Sequence, residues 1–337
     1  MVKILYVRDN PSKGVNGIGK YCDALYQLLM DDDECKVLPV QDYPLVRLPF
    51  VKNYYRIGPL SHAMDKADVI HINGYTALST AQALWMAWLK KKKIVYTAHW
   101  HPFEHLTHPR MGRWFFNLFM RYPISHFAHV VTTINNEDTA FFRSFCKNVV
   151  QIPHWFRPAT PYDPTLPKDP RMVLFVGRFY GTVKGIEHLY HLPEGKYDIH
   201  LVGRGELKPR SDFHAHINIS DDELDQLYAR ASLLVIPSRY EAFSYVALEG
   251  LTRNVPVVLS DRVRIADYLK GVNGVSIFPF GNYEAFIQAV EQTIGKPVDM
   301  DKVNAAFNPT QIKQRYKQAY KKCASRFTRE EQQNESL

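Results

Sequence analysis

The sequence predicts an α/β protein built as two doubly wound, Rossmann-like domains, and three observations carry that prediction. Short β-rich runs alternate with helical stretches over residues 1–157, a proline-rich segment interrupts them at 158–170, and the alternation then restarts. Strands alternating with helices predict a parallel sheet covered on both faces. At 337 residues the chain is long enough for two cores.

In the first half the strand candidates are 3–7, 36–39, 69–72, 93–97, 130–133 and 149–152, with helices at 19–30, 77–89, 113–121 and 137–145 between them. The segment 158–170 holds five prolines and is the predicted linker. Strands at 172–176, 198–202, 233–237, 255–259 and 275–278 follow, with helices at 185–192, 221–231, 246–252, 264–269 and 283–293. Residues 171–308 therefore form the second domain. Residues 309–327 show helical spacing at Ile312, Tyr316, Tyr320 and Cys323, ahead of a polar tail to 337. Ligands of open parallel sheets bind beyond the carboxyl ends of the strands, so both domains are expected to face an interdomain cleft.

Composition narrows the class. The 46% hydrophobic and 23% charged residues are those of a globular protein. The first strand follows Met1 directly, no apolar run is long enough to span a bilayer, and Cys22, Cys35, Cys146 and Cys323 show no CxxC spacing. A cytoplasmic location follows as the expectation. The formal charge of +8 is one-sided: residues 1–157 hold 19 Lys and Arg against 12 Asp and Glu, and the remainder 23 against 22. The N-terminal half is thus expected to meet something anionic.

The densest chemical signal is the stretch from Val235 to Gly250. A buried strand ends at Pro237-Ser238, Glu241 lies in the following loop, and Glu249 sits inside the next helix. The loop Ala242, Phe243, Ser244, Tyr245, Val246 supplies backbone N–H groups at a helix start, which suits a phosphate. Carboxylates such as Glu241 and Glu249 accept hydrogen bonds from vicinal sugar hydroxyls. Either glutamate alone reads as an ordinary helix-terminus or surface residue.

The arrangement resembles the E-x7-E signature of glycosyltransferase family 4, a group of retaining enzymes with the GT-B fold. Phe175-Val176-Gly177-Arg178 with Lys184-Gly185 is similar to the family's GR…KG element, and Leu201 to Gly205 to its G-x-G turn. The helix at 222–231, Gly17-Ile18-Gly19, Ala67 to His71 and Thr97-Ala98-His99 match further landmarks. The resemblance implies a GT-B fold with an acceptor domain at 1–157 and a donor domain at 171–308. It implies that Arg178 and Lys184 neutralise the donor diphosphate, Glu249 holds the ribose, Glu241 the transferred sugar, and the backbone of 242–246 sugar and phosphates. Gly203 and Gly17 would allow close approach of substrate, and His99 would stand near the reacting carbon. It further implies a metal-independent, retaining transfer of a hexose from a UDP- or GDP-sugar to a glycan or lipid-linked acceptor, by front-face substitution, with no resident cofactor. The last helix is expected to return to the first domain. The sequence departs from the family at Glu241-Ala-Phe-Ser, where E-G-F-G is usual, and at Ile152-Pro-His-Trp, where I-P-N-G is usual. A nucleotide-sugar epimerase of the same fold, or a non-catalytic sugar-nucleotide-binding subunit, is the alternative.

Other signals carry less. Gly17-x-Gly19-x-x-Cys22 lacks the third glycine of a dinucleotide fingerprint. Asp31-Asp32-Asp33 reads as a solvated acidic turn, and no metal is implied. Lys90 to Lys93 and the run Arg110 to Arg121, with Trp114, Phe115, Phe116 and Phe119, combine cations and aromatics as an interfacial helix does. They point to peripheral contact with an anionic membrane surface. No nucleic-acid motif accompanies them, so nucleic acid is not an expected partner.

Overall fold

A computed structural model describes residues 1–8, 17–38, 45–48, 51–74, 77–99, 109–155 and 166–325. The chain divides into two compact units, Met1–Trp155 with Asn308–Leu337, and Phe156–Phe307. Most of the expected linker, and the polar tail, lie outside the described residues.

The first unit runs β1 (Val2–Arg8), α1 (Gly17–Leu29), β2 (Cys35–Val37), β3 (Leu45–Leu48), β4 (Val51–Tyr55), α2 (Ile57–Asp65), β5 (Val69–Gly74), α3 (Ala77–Leu89) and β6 (Lys93–Ala98). It continues through α4 (Pro109–Phe116), a π-helical turn (Asn117–Arg121), α5 (Tyr122–Phe127), β7 (Val130–Thr133), α6 (Asn136–Arg143) and β8 (Val149–Gln151). Its sheet is parallel, in the order β2-β1-β5-β6-β7-β8. The chain therefore reverses direction across the sheet between β1 and β5, which is the switch point of a doubly wound fold. The sequence reading placed no element between residues 39 and 69, yet β3 and β4 form an antiparallel hairpin there and α2 follows. Tight spacing around Pro44 and Pro49 hides two short strands whose partner is local.

The second unit begins with β9 (Asp169–Val176), then a 3₁₀ turn (Ile186–His191), β10 (Asp198–Val202), β11 (Phe213–His216), α7 (Asp221–Arg230) and β12 (Ala231–Ile236). It ends with α8 (Tyr245–Leu251), β13 (Val257–Ser260), α9 (Ala266–Leu269), β14 (Val275–Phe278), α10 (Tyr283–Thr293) and α11 (Met300–Ala306). The parallel order β11-β10-β9-β12-β13-β14 puts its switch point between β9 and β12. All six residues of β12 are buried, as expected of a central parallel strand covered on both faces. The helix expected at 185–192 is a 3₁₀ turn, because Gly185 enters it left-handed at φ +66° and Pro193 stops it.

The last helix, α12 (Pro309–Ser325), belongs to the first unit. Its Tyr316 and Tyr320 are buried there, and Tyr320 meets Tyr6 and His71. Lys313 and Lys317 reach Asp32 at 3.1 and 3.0 Å. Asp32 is buried while Asp31 and Asp33 are exposed, so the expectation of a solvated acidic turn holds for those two and is corrected for Asp32. Burial alone raises its pKa, but the Cys35 N–H and the two lysines outweigh that and hold the carboxyl well below the ordinary range.

Candidate functional site

The second unit gathers three of the expected residues around its switch point. Gly177 and Arg178 leave the carboxyl end of β9, and Pro237 to Glu241 leave the carboxyl end of β12, its sheet neighbour. The segment carrying Lys184 is pressed onto that second loop. The Arg239 N–H donates to the Val183 carbonyl at 2.8 Å, and a Cβ on Gly185 would stand 1.7 Å from the Pro237 oxygen. Only glycine permits that approach at positive φ. The consequence is an ion pair: Lys184 Nζ lies 2.8 Å from Glu241 Oε1, with 23% and 14% of the two side chains exposed. Ser238 Oγ donates to the same carboxylate oxygen at 2.6 Å. The Glu241 backbone is fixed by pairing with Val263, its carbonyl accepting from Arg264 at 2.9 Å.

Arg178 is exposed, with its guanidinium 5.4 Å above the Tyr180 ring, and among the described residues it has no carboxylate partner. Gly203 closes the neighbouring turn. A Cβ there would lie 1.8 Å from the Gly177 oxygen, so the turns after β9 and β10 pack backbone to backbone. Two cations and a carboxylate thus stand on adjoining strand ends, residue types able to hold an anion and a hydroxylated ring.

Glu249 stands behind this loop on α8 and is 5% exposed. The Tyr228 hydroxyl donates to its Oε2 at 2.9 Å. Burial, then the Glu249 charge, push the Tyr228 pKa far up, so the phenol stays a donor. The bland alternative of a solvated glutamate does not apply. The expected anion site at the helix start is smaller than the sequence reading supposed. The α8 helix has seven residues, and the Ser244 side chain already accepts from the Ala247 N–H. Phe243 is buried with its ring edge-on to Tyr245 and Phe307, so only its backbone can face a ligand. Ala242, Tyr245 and Val246 are half-buried.

His99 and Gly17 belong to the first unit. Gly17 is the first residue of α1 rather than part of a loop; its neighbours 9–16, and His101, His105 and His108, lie outside the described residues. His99 follows β6 and is 8% exposed. Asn73 donates its amide to the His71 carbonyl, which turns its Oδ1 towards His99 Nε2 at 3.2 Å. Nε2 must then carry the proton, leaving Nδ1 as an acceptor with no partner among the described residues. Tyr21 packs edge-on at 4.6 Å and His154 at 5.6 Å. Burial lowers His99 to a pKa of about 3. His71 is likewise lowered to about 3, by burial first and by His99 second. His154 is driven down by the same burial.

Sequence reasoning missed Ser238, Tyr228, Asn73, Tyr21 and His154. Ser238, Tyr228, Tyr21 and His154 lie inside stretches already singled out, and could have been found there; Asn73 had no signal. Among the described residues no group of three His, Cys, Asp or Glu side chains could hold a metal ion, and no helix is long and apolar enough to cross a membrane.

Residues 170–296 match the family described as Glycosyl transferases group 1. An uncharacterized glycosyltransferase of Methanocaldococcus jannaschii is 32% identical over 130 residues, so the match spans about a third of each chain. Among solved structures, HepE of Anabaena in complex with UDP-glucose aligns with a TM-score of 0.67 at 18% identity, over 93% of this chain and 98% of that one. Sucrose-phosphate synthase of Thermosynechococcus elongatus gives 0.62 at 18%, over 99% of both chains. The catalytic domain of starch synthase IV from Arabidopsis thaliana, bound to ADP and acarbose, gives 0.66 at 12%, over 96% and 99%. At these identities the likeness is one of fold, and the fold of this chain, two parallel-sheet Rossmann-like units, is that of the GT-B glycosyltransferases.

Proposed function

We propose that this protein is a retaining hexosyltransferase whose second unit holds a UDP- or GDP-sugar and whose acceptor is a glycan or lipid-linked hydroxyl. The observation that carries the reading is the Lys184–Glu241–Ser238 cluster, with Arg178 exposed on the next strand end and Glu249 buried behind it. A solved neighbour in complex with UDP-glucose and another bound to ADP support a nucleotide donor.

In this reading Arg178 and Lys184 stabilise the negative charge that grows on the β-phosphate as the anomeric C–O bond breaks. Glu241 loses its internal partner to the diphosphate and accepts from sugar hydroxyls, and Glu249 accepts from the ribose. The acceptor oxygen bonds the anomeric carbon from the face the phosphate leaves, and the hydroxyl proton passes to the departing phosphate oxygen. A histidine with a pKa of about 3 is too weak a base to take that proton at neutral pH. His99 Nδ1 instead accepts a hydrogen bond that orients the acceptor. No metal ion or cofactor is needed in this scheme, since the two cations carry the charge.

The test is a panel of UDP- and GDP-sugars incubated with the full chain, alone and with lipid-linked acceptors, while released nucleotide is followed. Slow hydrolysis of one donor, accelerated by an acceptor, is the expected result. No release from any donor would count against the transferase, and isomerised sugar in its place would point to epimerase chemistry.

A further inference from the structure

The first unit carries an apolar face that its own core does not cover. The C-terminal turn of α3 exposes Trp85, Trp88 and Leu89, at spacings that share one side of the helix. Trp88 stacks on the buried Phe127 of α5 at 4.8 Å, and Trp85 meets the same ring edge-on at 4.7 Å. Tyr122 meets Phe127 edge-on at 5.8 Å, and Phe127 thereby joins α3 to the continuous helical stretch 109–127. One and two turns back along that stretch, Leu118 and Trp114 are 53% and 62% exposed. Indole and phenol rings with an apolar body and a polar tip favour the boundary between lipid headgroups and acyl chains.

The charge carried by these elements is predominantly of one sign, with Lys90 at the end of α3 paired to Asp65 at 2.6 Å. Lys91, Arg110, Arg113 and Arg121 are exposed on its flanks. From residue 77 to residue 136 Glu104 is the single acidic side chain. A second copy docked two-fold on the same face would set these cations against themselves. A nucleic acid could use the cations and rings, but the exposed aliphatic Leu89 and Leu118 have no role in stacking bases. We propose that the face formed by the end of α3 and the 109–127 stretch lies on an anionic lipid surface, rings and leucines inserted and cations at the phosphates. This proposal is independent of the donor-site reading.

The experiment is flotation of the full chain with vesicles of phosphatidylcholine alone and of phosphatidylcholine mixed with phosphatidylglycerol. Partition at least about tenfold higher onto the anionic vesicles is expected, falling as salt rises. The Trp114→Glu, Leu118→Glu double variant, at exposed positions, should lose binding by about tenfold or more with its thermal midpoint unchanged, and Arg110→Glu should lose about fivefold on anionic vesicles only. The salt titration of the unmodified chain stands without any variant. Equal binding to both vesicles, no binding, self-association abolished by the double variant, or preferential retention of an oligonucleotide would each overturn the proposal.

Discussion

The two units repeat one architecture and fill it with different chemistry. Both are six-stranded parallel sheets with the chain reversing at a switch point. Beside that point the second unit places charge: Lys184, Glu241, Arg178 and, behind them, Glu249. The first unit places mostly neutral polar groups, His99, His71 and His154 with Asn73 and the tyrosines of α1 and α12, and its one buried cation there among the described residues, Arg8 at the end of β1, faces Asp23 at 3.4 Å. Backbone topology creates the location, and side chains decide whether it can stabilise an anion or only orient a neutral group. The difference also bears on stability, because buried histidines must stay neutral for the first unit to remain folded.

The largest expected effect breaks the charged side of the comparison. Lys184→Ala should lower donor turnover by about 10²–10³-fold, the scale of removing one group that stabilises a developing oxyanion. Steady-state kinetics beside an unchanged thermal midpoint check it. If His99→Gln costs as much or more, the charge asymmetry between the units is not what drives the chemistry.

Backbone packing comes next. Gly203→Ala puts a carbon 1.8 Å from the Gly177 oxygen, and Gly185→Ala one at 1.7 Å from that of Pro237. Each should cost about 2–4 kcal/mol, the range of severe single-site changes, read as a shift in the urea midpoint. A neutral result at Gly185 would mean that the Lys184 segment is not held against β12.

The third prediction concerns pH and reads the first unit alone, since all five tryptophans lie in it. The folded pKa of His71 and of His99 is about 3, below the ordinary value of 6.5. Between those values the unfolded chain binds more protons, so stability falls as pH drops from about 6.5 and keeps falling towards 3. The slope is up to about 1.4 kcal/mol per pH unit for each histidine. Tryptophan-detected urea midpoints at pH 7 and pH 5 measure it, and equal midpoints would show that the histidines are not buried neutral. Smallest is Glu249→Gln, which keeps the shape and removes the charge. It should weaken nucleotide binding about tenfold, and titration calorimetry reads this directly.

Much of this contrast was legible in the chain itself, and the part that was not has a common cause. Alternating strands and helices are local patterns, so the doubly wound sheets followed from them to within a few residues. Glu241 and Glu249 are close in sequence and stood out together. The ion pair of Lys184 with Glu241 joins residues 57 apart, and the Tyr21–Tyr316 hydrogen bond spans 295. Contacts of that range leave no periodicity to read. Asp32 shows the same limit: as part of three aspartates it looks solvated, and only lysines from α12 make its burial tolerable. The turn after Gly185 was expected as a helix and is 3₁₀, and the short β3–β4 hairpin was missed, because brief elements contribute little pattern of their own.

The claim that the second unit binds the donor is tested most directly by calorimetric titration of UDP, GDP and their sugar conjugates into the unmodified chain, Lys184→Ala, Arg178→Ala and His99→Gln. The account predicts saturable binding of one nucleoside diphosphate, weakened by about tenfold or more in both cation variants and unchanged in His99→Gln. Binding that survives both cation substitutions at full strength, or that disappears with His99, would contradict it.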